Sequence, residues 1–475
     1  MELHVTLTGR GPLGAALYQQ LRHAILTGRL RPGEPLPATR ELAERLSVSH
    51  NTVLGAYQRL GAEGFLTGRA GAGTVVAAPL AGIAAGAPRP RRPAAALAPR
   101  PIWRALAAPP PQPPRPMATW DFSVGAPDPA LFPWDAWRHL VARQLRGRRP
   151  PPGTLDPQGA PRLREAIARH LGRSRGVEAG ADEVLVTSGA QQAIDLVARV
   201  LVEPGRTVAV EEPGYPPARQ AFAALGARVV PVPVDAEGID VAALPDDAAL
   251  VYVTPSHQFP LGRPMSLARR LALLAWAERR SAAILEDDYD SELRHDGRSL
   301  EPLQRLDRSG RVVYVGTFSK ILLPALRLGY AVAPPSLLPA LRAARRLADL
   351  HGAPERELAL AGLMEEGLLA RHVRRVQRIY RARREALLAA LGARLGDAVE
   401  VLPAAAGLHL ALFLRGRGPG AAAVAAAAAA AGVAVEPLGP YYAARARPGL
   451  ALGYGLVASE RIDEGVRRLA GVLGR

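Results

Sequence analysis

GTFSKILLPALRLGY, residues 316–330, decides how this chain is read. The apolar run VVYVGT (312–317) leads into it as a strand, and Lys320 stands just past the end of that run. Lys320 is also the only lysine; the other 59 of the 60 Lys+Arg residues are arginine. A guanidinium keeps its proton in a protein, whereas an amine with a lowered pKa attacks carbonyl carbon. A sequence that uses arginine for every other positive charge points to imine formation at 320 with an aldehyde cofactor or substrate. Arginine bias from base composition is the plainer alternative, and the neighbourhood of Lys320 decides between the two.

Working outward, EVLVTS (183–188), TVAVEE (207–212), ALVYVT (249–254), AAILED (282–287) and GYAVA (329–333) are further short apolar runs separated by helical stretches. This alternation predicts an α/β domain with a mostly parallel sheet covered on both faces. Function in such folds gathers beyond the C-terminal ends of the strands. At one such end, Gly189, Ala190 and Gln191 open a helix whose free N–H groups suit a phosphate. Thr317, Ser319 and Arg327 add two hydroxyls and a guanidinium for the same dianion. In EDDYDSE (286–292), a buried Asp287 facing a pyridine nitrogen would keep that ring protonated, with Tyr289 near a phenolic oxygen. A divalent metal on this acidic run is the rival, but no histidine or spaced carboxylate set accompanies it in the sequence, and no metal ligands are assigned. Tyr215, in PGYPPAR (213–219), either stacks on a flat cofactor or packs in the core. Helices dominate about 335–396, and strands near 407–414, 433–436 and 449–454 suggest a smaller α+β subdomain, mainly about 345–475. The alanine run 421–431 reads as a plain helix.

The 475 residues leave room for two or three domains. Without cysteine, disulfides, thiolate catalysis and cysteine-ligated zinc are excluded. No apolar run reaches the ~20 residues of a spanning helix, and MELHVTLTGR lacks a signal-peptide pattern, so a cytoplasmic protein without membrane contact is expected. The net charge of +17 is uneven, with 14 arginines against 5 acids in residues 1–116. That density suits a polyanion, nucleic acid above all, or else simply a charged solvated surface.

Residues 1–78 read as three helices and a hairpin. Leu13, Leu17, Leu21, Ile25 and Leu26 share the face of the first helix. Ser49 is placed to cap the third, which puts His50, Asn51 and Thr52 at its exposed first turn. This is the layout of a winged helix-turn-helix, whose last helix enters the major groove. Residues 79–116, rich in Ala, Pro and Arg, cannot bury enough apolar surface to fold alone and read as a semi-rigid, extended linker. Residues 117–475 hold the α/β domain.

The detailed wording is more specific than the layout. Residues 32–76, PGEPLPATRELAERLSVSHNTVLGAYQRLGAEGFLTGRAGAGTVV, resemble the DNA-binding domain of the GntR family. The resemblance implies that Arg40, His50, Asn51, Thr52 and the wing's Gly71 face double-stranded DNA. His50 stands where relatives usually carry arginine, which leaves base preference there open. DPQG (156–159), SGAQQA (188–193), EEPGY (211–215), TPSHQFPLG (254–262), EDDYDSE and the stretch around Lys320 resemble fold-type I pyridoxal-phosphate enzymes of the aspartate-aminotransferase superfamily. A GntR-type reader joined through a linker to such a domain is the architecture of the MocR subfamily of bacterial regulators.

By that likeness Lys320 forms the internal aldimine, Asp287 meets the pyridine nitrogen, Tyr289 the phenolate oxygen, and Tyr215 stacks on the ring. Ala190, Gln191, Ser319 and Arg327, with Gly189 and Thr317 beside them, hold the phosphate. Two positions depart from the true aminotransferases. The asparagine that assists the phenolate oxygen aligns with Phe259, and the arginine for a substrate α-carboxylate aligns with Ala451. Losing that arginine removes a charge-assisted pair worth ~1.5–3 kcal/mol. The resemblance therefore implies a homodimeric bacterial transcriptional regulator that senses pyridoxal phosphate, or its adduct with an amine or amino acid. The cofactor itself is the favoured signal. An active aminotransferase with an accessory DNA-binding domain is the alternative, and a mere dimerisation scaffold would leave the Lys320 set unexplained.

Overall fold

The computed structural model describes residues 13–69, 73–77, 98–107, 118–147, 155–295, 301–416, 418–444 and 446–474. They form two compact units, Met1–Pro99 and Arg100–Arg475.

In the first unit, helices Leu13–Leu26, Thr39–Arg45 and His50–Ala62 are followed by the hairpin of Leu66–Arg69 with Gly73–Val76. Leu17, Tyr18, Leu21 and Ile25 form the buried stripe of the first helix and pack with Leu42, Val53, Tyr57 and Leu60. Leu13 is 39% exposed, so that stripe starts one turn later than its sequence suggests. Ser49 caps the third helix, accepting the Thr52 N–H at 3.2 Å. Gly71, in the wing, lies outside the described residues.

The second unit is built on an eight-stranded sheet. In spatial order its strands are Val184–Thr187, Gly329–Val332, Val312–Thr317, Ala283–Asp288, Ala248–Val253, Thr207–Glu212, Arg228–Asp235 and Gly238–Ile239. Gly329–Val332 runs antiparallel to both neighbours and Gly238–Ile239 to its one; the strands from Val312–Thr317 to Arg228–Asp235 are parallel. Alternate residues face opposite layers. Along Ala248–Val253, Leu250 and Tyr252 join one apolar cluster, while Val251 and Val253 join another with helix Leu267–Arg280 behind them. Val184–Thr187, antiparallel to Gly329–Val332, points the same way as the parallel run, so the ends of six strands come to one edge and the candidate residues follow those ends.

A second layer carries the antiparallel sheet Val399–Val401, His409–Leu414, Gly449–Gly453 and Glu436–Pro437, in that order. Helices Leu368–Leu395 and Ser459–Val472 pack together in it, and the alanine run is helix Ala421–Ala430. Trp120–Asp121 joins this smaller layer by pairing in parallel with Val433–Ala434. Phe122 N–H donates to Ala434 O and its own carbonyl accepts from Gly453 N–H. Within the stretch read as an extended linker, Pro101–Ala107 is a helix. Ile102 and Leu106, four residues apart, are its half-buried side chains, and the helix lies beside Pro216–Ala224. The extended reading fails there because the prolines cluster on either side of IWRALA and leave a helix-compatible run between them.

Candidate cofactor site

Lys320, Asp287, Tyr289, Tyr215, Ala190, Gln191, Thr317, Ser319 and Arg327 all line one cavity of about 540 Å³. It opens between the C-terminal edge of the large sheet and the smaller layer. Gly189, the tenth residue proposed from sequence, is the N-cap of helix Ala190–Leu201 and has φ 92°. A side chain there would be strained, and its Cβ would lie 3.2 Å from the Arg327 guanidinium. Glycine at 189 thus lets Arg327 close on the helix N-terminus, where the guanidinium donates to Ser188 O. Beside it, Thr317 Oγ1 donates to Ser319 Oγ at 3.0 Å and accepts the Ser319 N–H at 3.2 Å. Free N–H groups, two hydroxyls and a guanidinium in one corner make an anion cup.

Lys320 Nζ donates to Gly125 O at 2.9 Å. Confinement in the cavity lowers the basicity of the amine, against the pull of Asp290, Asp287 and Glu436. Across the cavity, Asp287 is buried; its Oδ2 accepts the Tyr252 O–H at 2.7 Å and its Oδ1 has no partner. An orphaned carboxylate oxygen at the floor of a cavity fits a ligand N–H. Burial pushes the Asp287 carboxyl up to about 7, with the Tyr252 hydrogen bond opposing and Asp288 and Asp290 adding.

That shift has a testable sign. The folded chain holds on Asp287 a proton that an unfolded aspartate (pKa ~3.9) has already lost, so its contribution to stability declines as pH rises from about 4 to 7. In ligand-free protein, Asp287→Asn should gain thermal midpoint over wild type as pH is raised through that window. Melting curves at several pH values check this, and parallel profiles for the two proteins would refute it.

The acidic run around Asp287 is sorted by strand alternation. Glu286 and Asp288 face the other side. Glu286 accepts from Leu303 and Gln304 N–H, and Asp288 pairs with Arg175 at 2.8 Å. Asp290 Oδ2 lies 2.9 Å from His257 Nδ1. With His409, these two do place histidines beside the acidic run, each offering an atom within 4.8 Å of the others. The sequence reading that no histidine accompanies the run is corrected by this, since 257 arrives from the loop after Ala248–Val253 and 409 from strand His409–Leu414. His257 Nδ1 faces Asp290 and His409 Nε2 donates to Pro260 O at 3.0 Å, so both rings already have protein partners.

Tyr289 O–H donates to His257 O at 2.9 Å. The Tyr215 ring meets Phe259 edge-on, with centroids 5.6 Å apart. Phe259 makes similar contacts with Tyr289 and Tyr441, at 5.9 and 5.1 Å, so the departure from asparagine builds an aromatic wall. Ala451 is fully buried on strand Gly449–Gly453, among Leu261, Leu402 and Phe413. Sequence reasoning missed Tyr252, Gly125, Glu436 and Tyr441. Tyr252 looked like one more apolar strand residue, and the rest depend on how the smaller layer docks; only the lone acid in AVEP was a signal.

In the N-terminal unit, Arg40, His50 and Asn51 are exposed and Thr52 is half-buried. His50 Nε2 lies 3.0 Å from Thr39 Oγ1, which links the first turns of the two helices.

Comparison with known proteins fits this geometry. The family model for aminotransferase class I and II matches residues 120–468, and that for bacterial regulatory proteins of the gntR family matches 13–76. Over 469 residues the chain is 37% identical to the probable rhizopine catabolism regulatory protein MocR of Rhizobium meliloti, covering 96% of this chain and 93% of that one. The chain belongs to the MocR subfamily of GntR-type regulators. A second relative of this MocR-type chain is the HTH-type pyridoxine biosynthesis transcriptional regulator PdxR of Corynebacterium glutamicum, 36% identical over 83% of this chain and 82% of that one. Among solved structures, LysN, the α-aminoadipate aminotransferase of Thermus thermophilus complexed with N-(5'-phosphopyridoxyl)-L-leucine, superposes with a TM-score of 0.69. It is 34% identical and matches 74% of the MocR-type chain and 92% of its own.

Proposed function

We propose that this chain is a pyridoxal-phosphate-dependent transcriptional regulator. Its N-terminal unit reads an operator in double-stranded DNA, and the cavity at Lys320 reports its own occupancy, by the cofactor alone or by an amine or amino-acid adduct. The observation that carries the reading is Asp287 Oδ1, buried without a partner in the same cavity as the chain's one amine side chain. When bound, pyridoxal phosphate supplies an aldehyde carbon for that amine and a ring whose protonated nitrogen withdraws electrons. Arg327, Ser319, Thr317 and the N–H groups of Ala190 and Gln191 would hold the phosphate. Asp287, oriented by Tyr252, would hold the ring nitrogen; Tyr215 and Phe259 would wall the ring, and Tyr289 would approach its oxygen.

Ala451 argues for sensing over turnover, because an amino acid's carboxylate finds no arginine on that strand to orient it. The intact Lys320–Asp287 pair favours the alternative, a working aminotransferase. Operator affinity decides, measured for protein without cofactor, with it, and with it plus amines. A change of several-fold on loading supports regulation. Unchanged affinity together with steady turnover of an amino acid and a keto acid would replace the reading by the enzyme. The regulator is further proposed to be a cytoplasmic bacterial homodimer, which sedimentation at micromolar concentration checks; among the described residues no helix is long and apolar enough to cross a membrane.

A further inference from the structure

Four formally charged side chains line the cavity: Lys320, Arg327, Asp287 and Glu436. The reading above gives work to the first three. Glu436 remains, and its position is informative. It lies on strand Glu436–Pro437 directly across from Ala451 in the register with Gly449–Gly453. An acid thus stands beside the place where a carboxylate-binding arginine would start. Its Oε1 accepts the Val124 N–H at 3.1 Å and its Oε2 the Tyr441 O–H at 2.5 Å. A carboxylate offers about four acceptor sites, so each oxygen keeps capacity for a further donor. Among the described residues, no arginine forms an ion pair with it.

The carboxylate is also close to the amine. Lys320 donates to Gly125 O and Glu436 accepts from Val124 N–H, so the two charges bracket consecutive residues of one loop. Tyr441 and Phe259, edge-on at 5.1 Å, continue the wall beside Glu436. A carboxylate flanked by aromatic rings attracts cations and repels a second carboxylate.

Resting on the reading of this cavity as an amine-sensing pyridoxal-phosphate site, we propose that its second ligand is an amine with a cationic far end, such as a diamine or a guanidino-amine, and that Glu436 determines this specificity. The cavity then discriminates by charge sign against amino acids, whose far end is anionic or whose α-carboxylate would face Glu436 unpaired.

The test uses full-length protein loaded with pyridoxal phosphate and three probes of matched length: 1,4-diaminobutane, n-butylamine and 4-aminobutanoate. Binding is followed by calorimetry and by the visible absorbance of the loaded protein. The diamine should half-saturate at a concentration about tenfold or more below either competitor, the scale of one charge-assisted contact. Glu436→Gln, nearly the same shape without the charge, should bring the diamine and n-butylamine within about threefold of each other. The selectivity is a ratio on one preparation, so an effect of the substitution on loading cancels. If 4-aminobutanoate binds wild type as tightly as the diamine, or if Glu436→Gln keeps the wild-type ratio, the proposal is overturned. Loading is checked separately by borohydride reduction and mass. A protein that takes up no cofactor overturns the underlying reading as well, whereas a loaded protein without charge preference overturns this inference alone.

Discussion

Lys320→Ala should abolish covalent capture of pyridoxal phosphate while the chain stays folded. Wild-type protein treated with cofactor and borohydride should gain close to one cofactor mass, confined to the peptide that contains 316–330. The variant should gain none at any side chain, because no second lysine exists. The expected difference is all or nothing, larger than any change of affinity. Stability should move little. The Lys320 amine is held below its ordinary pKa chiefly by burial, so its charged form is disfavoured in the fold, and Ala removes that cost together with some packing of the stem. Ligand-free variant and wild type should melt within roughly 3 °C of each other. A reducible side-chain adduct on the variant would falsify the assignment of Lys320.

The second large effect concerns DNA. Deleting residues 1–78 should remove binding to an operator selected from a random pool by the full chain. The reader's association should weaken steeply with salt, because contacts to phosphates release counterions. Arg40→Ala should lower affinity for all sequences and reduce the salt slope by about 1 per site. His50→Ala should instead change which base is preferred near the start of helix His50–Ala62. That imidazole is exposed and held by Thr39, as a reading residue needs to be, but it cannot copy arginine's two-pronged contact to guanine. A chain lacking 1–78 that binds the operator as tightly as the whole protein would move the DNA site elsewhere.

The architecture was legible where buried strands print continuous apolar runs. All six runs quoted from the sequence are strands of the large sheet. Arg228–Asp235 escaped notice because Pro231 and Pro233 interrupt it. Two residues apart, they place both missing donors on one edge, which a strand near the border of a sheet tolerates. Trp120–Asp121 escaped because a two-residue parallel pair with Val433–Ala434 has no local signature. The same division holds at the site. Residues just past strand ends, such as Gly189, Tyr215 and Lys320, could be read because chain direction alone brings them together. Asp287 could be chosen among its acidic neighbours, but that its neighbours face away follows only from the register of the sheet. Tyr252 passed for one more apolar strand residue, and Gly125 and Glu436 were hard to find because their meeting with Lys320 depends on packing between two layers.

That packing also bears on how the chain is strung. Helix Pro101–Ala107 rests beside Pro216–Ala224, the helix that Tyr215 caps, in the layer of the large sheet. By Trp120 the backbone is already paired into the smaller layer, a few residues before Val124 and Gly125 reach the cavity. Helix Pro101–Ala107 and residues 120–125 thus rest on opposite banks of the cleft that holds Lys320. A ligand that changes the spacing of the two layers would therefore shift helix Pro101–Ala107 against Trp120–Asp121.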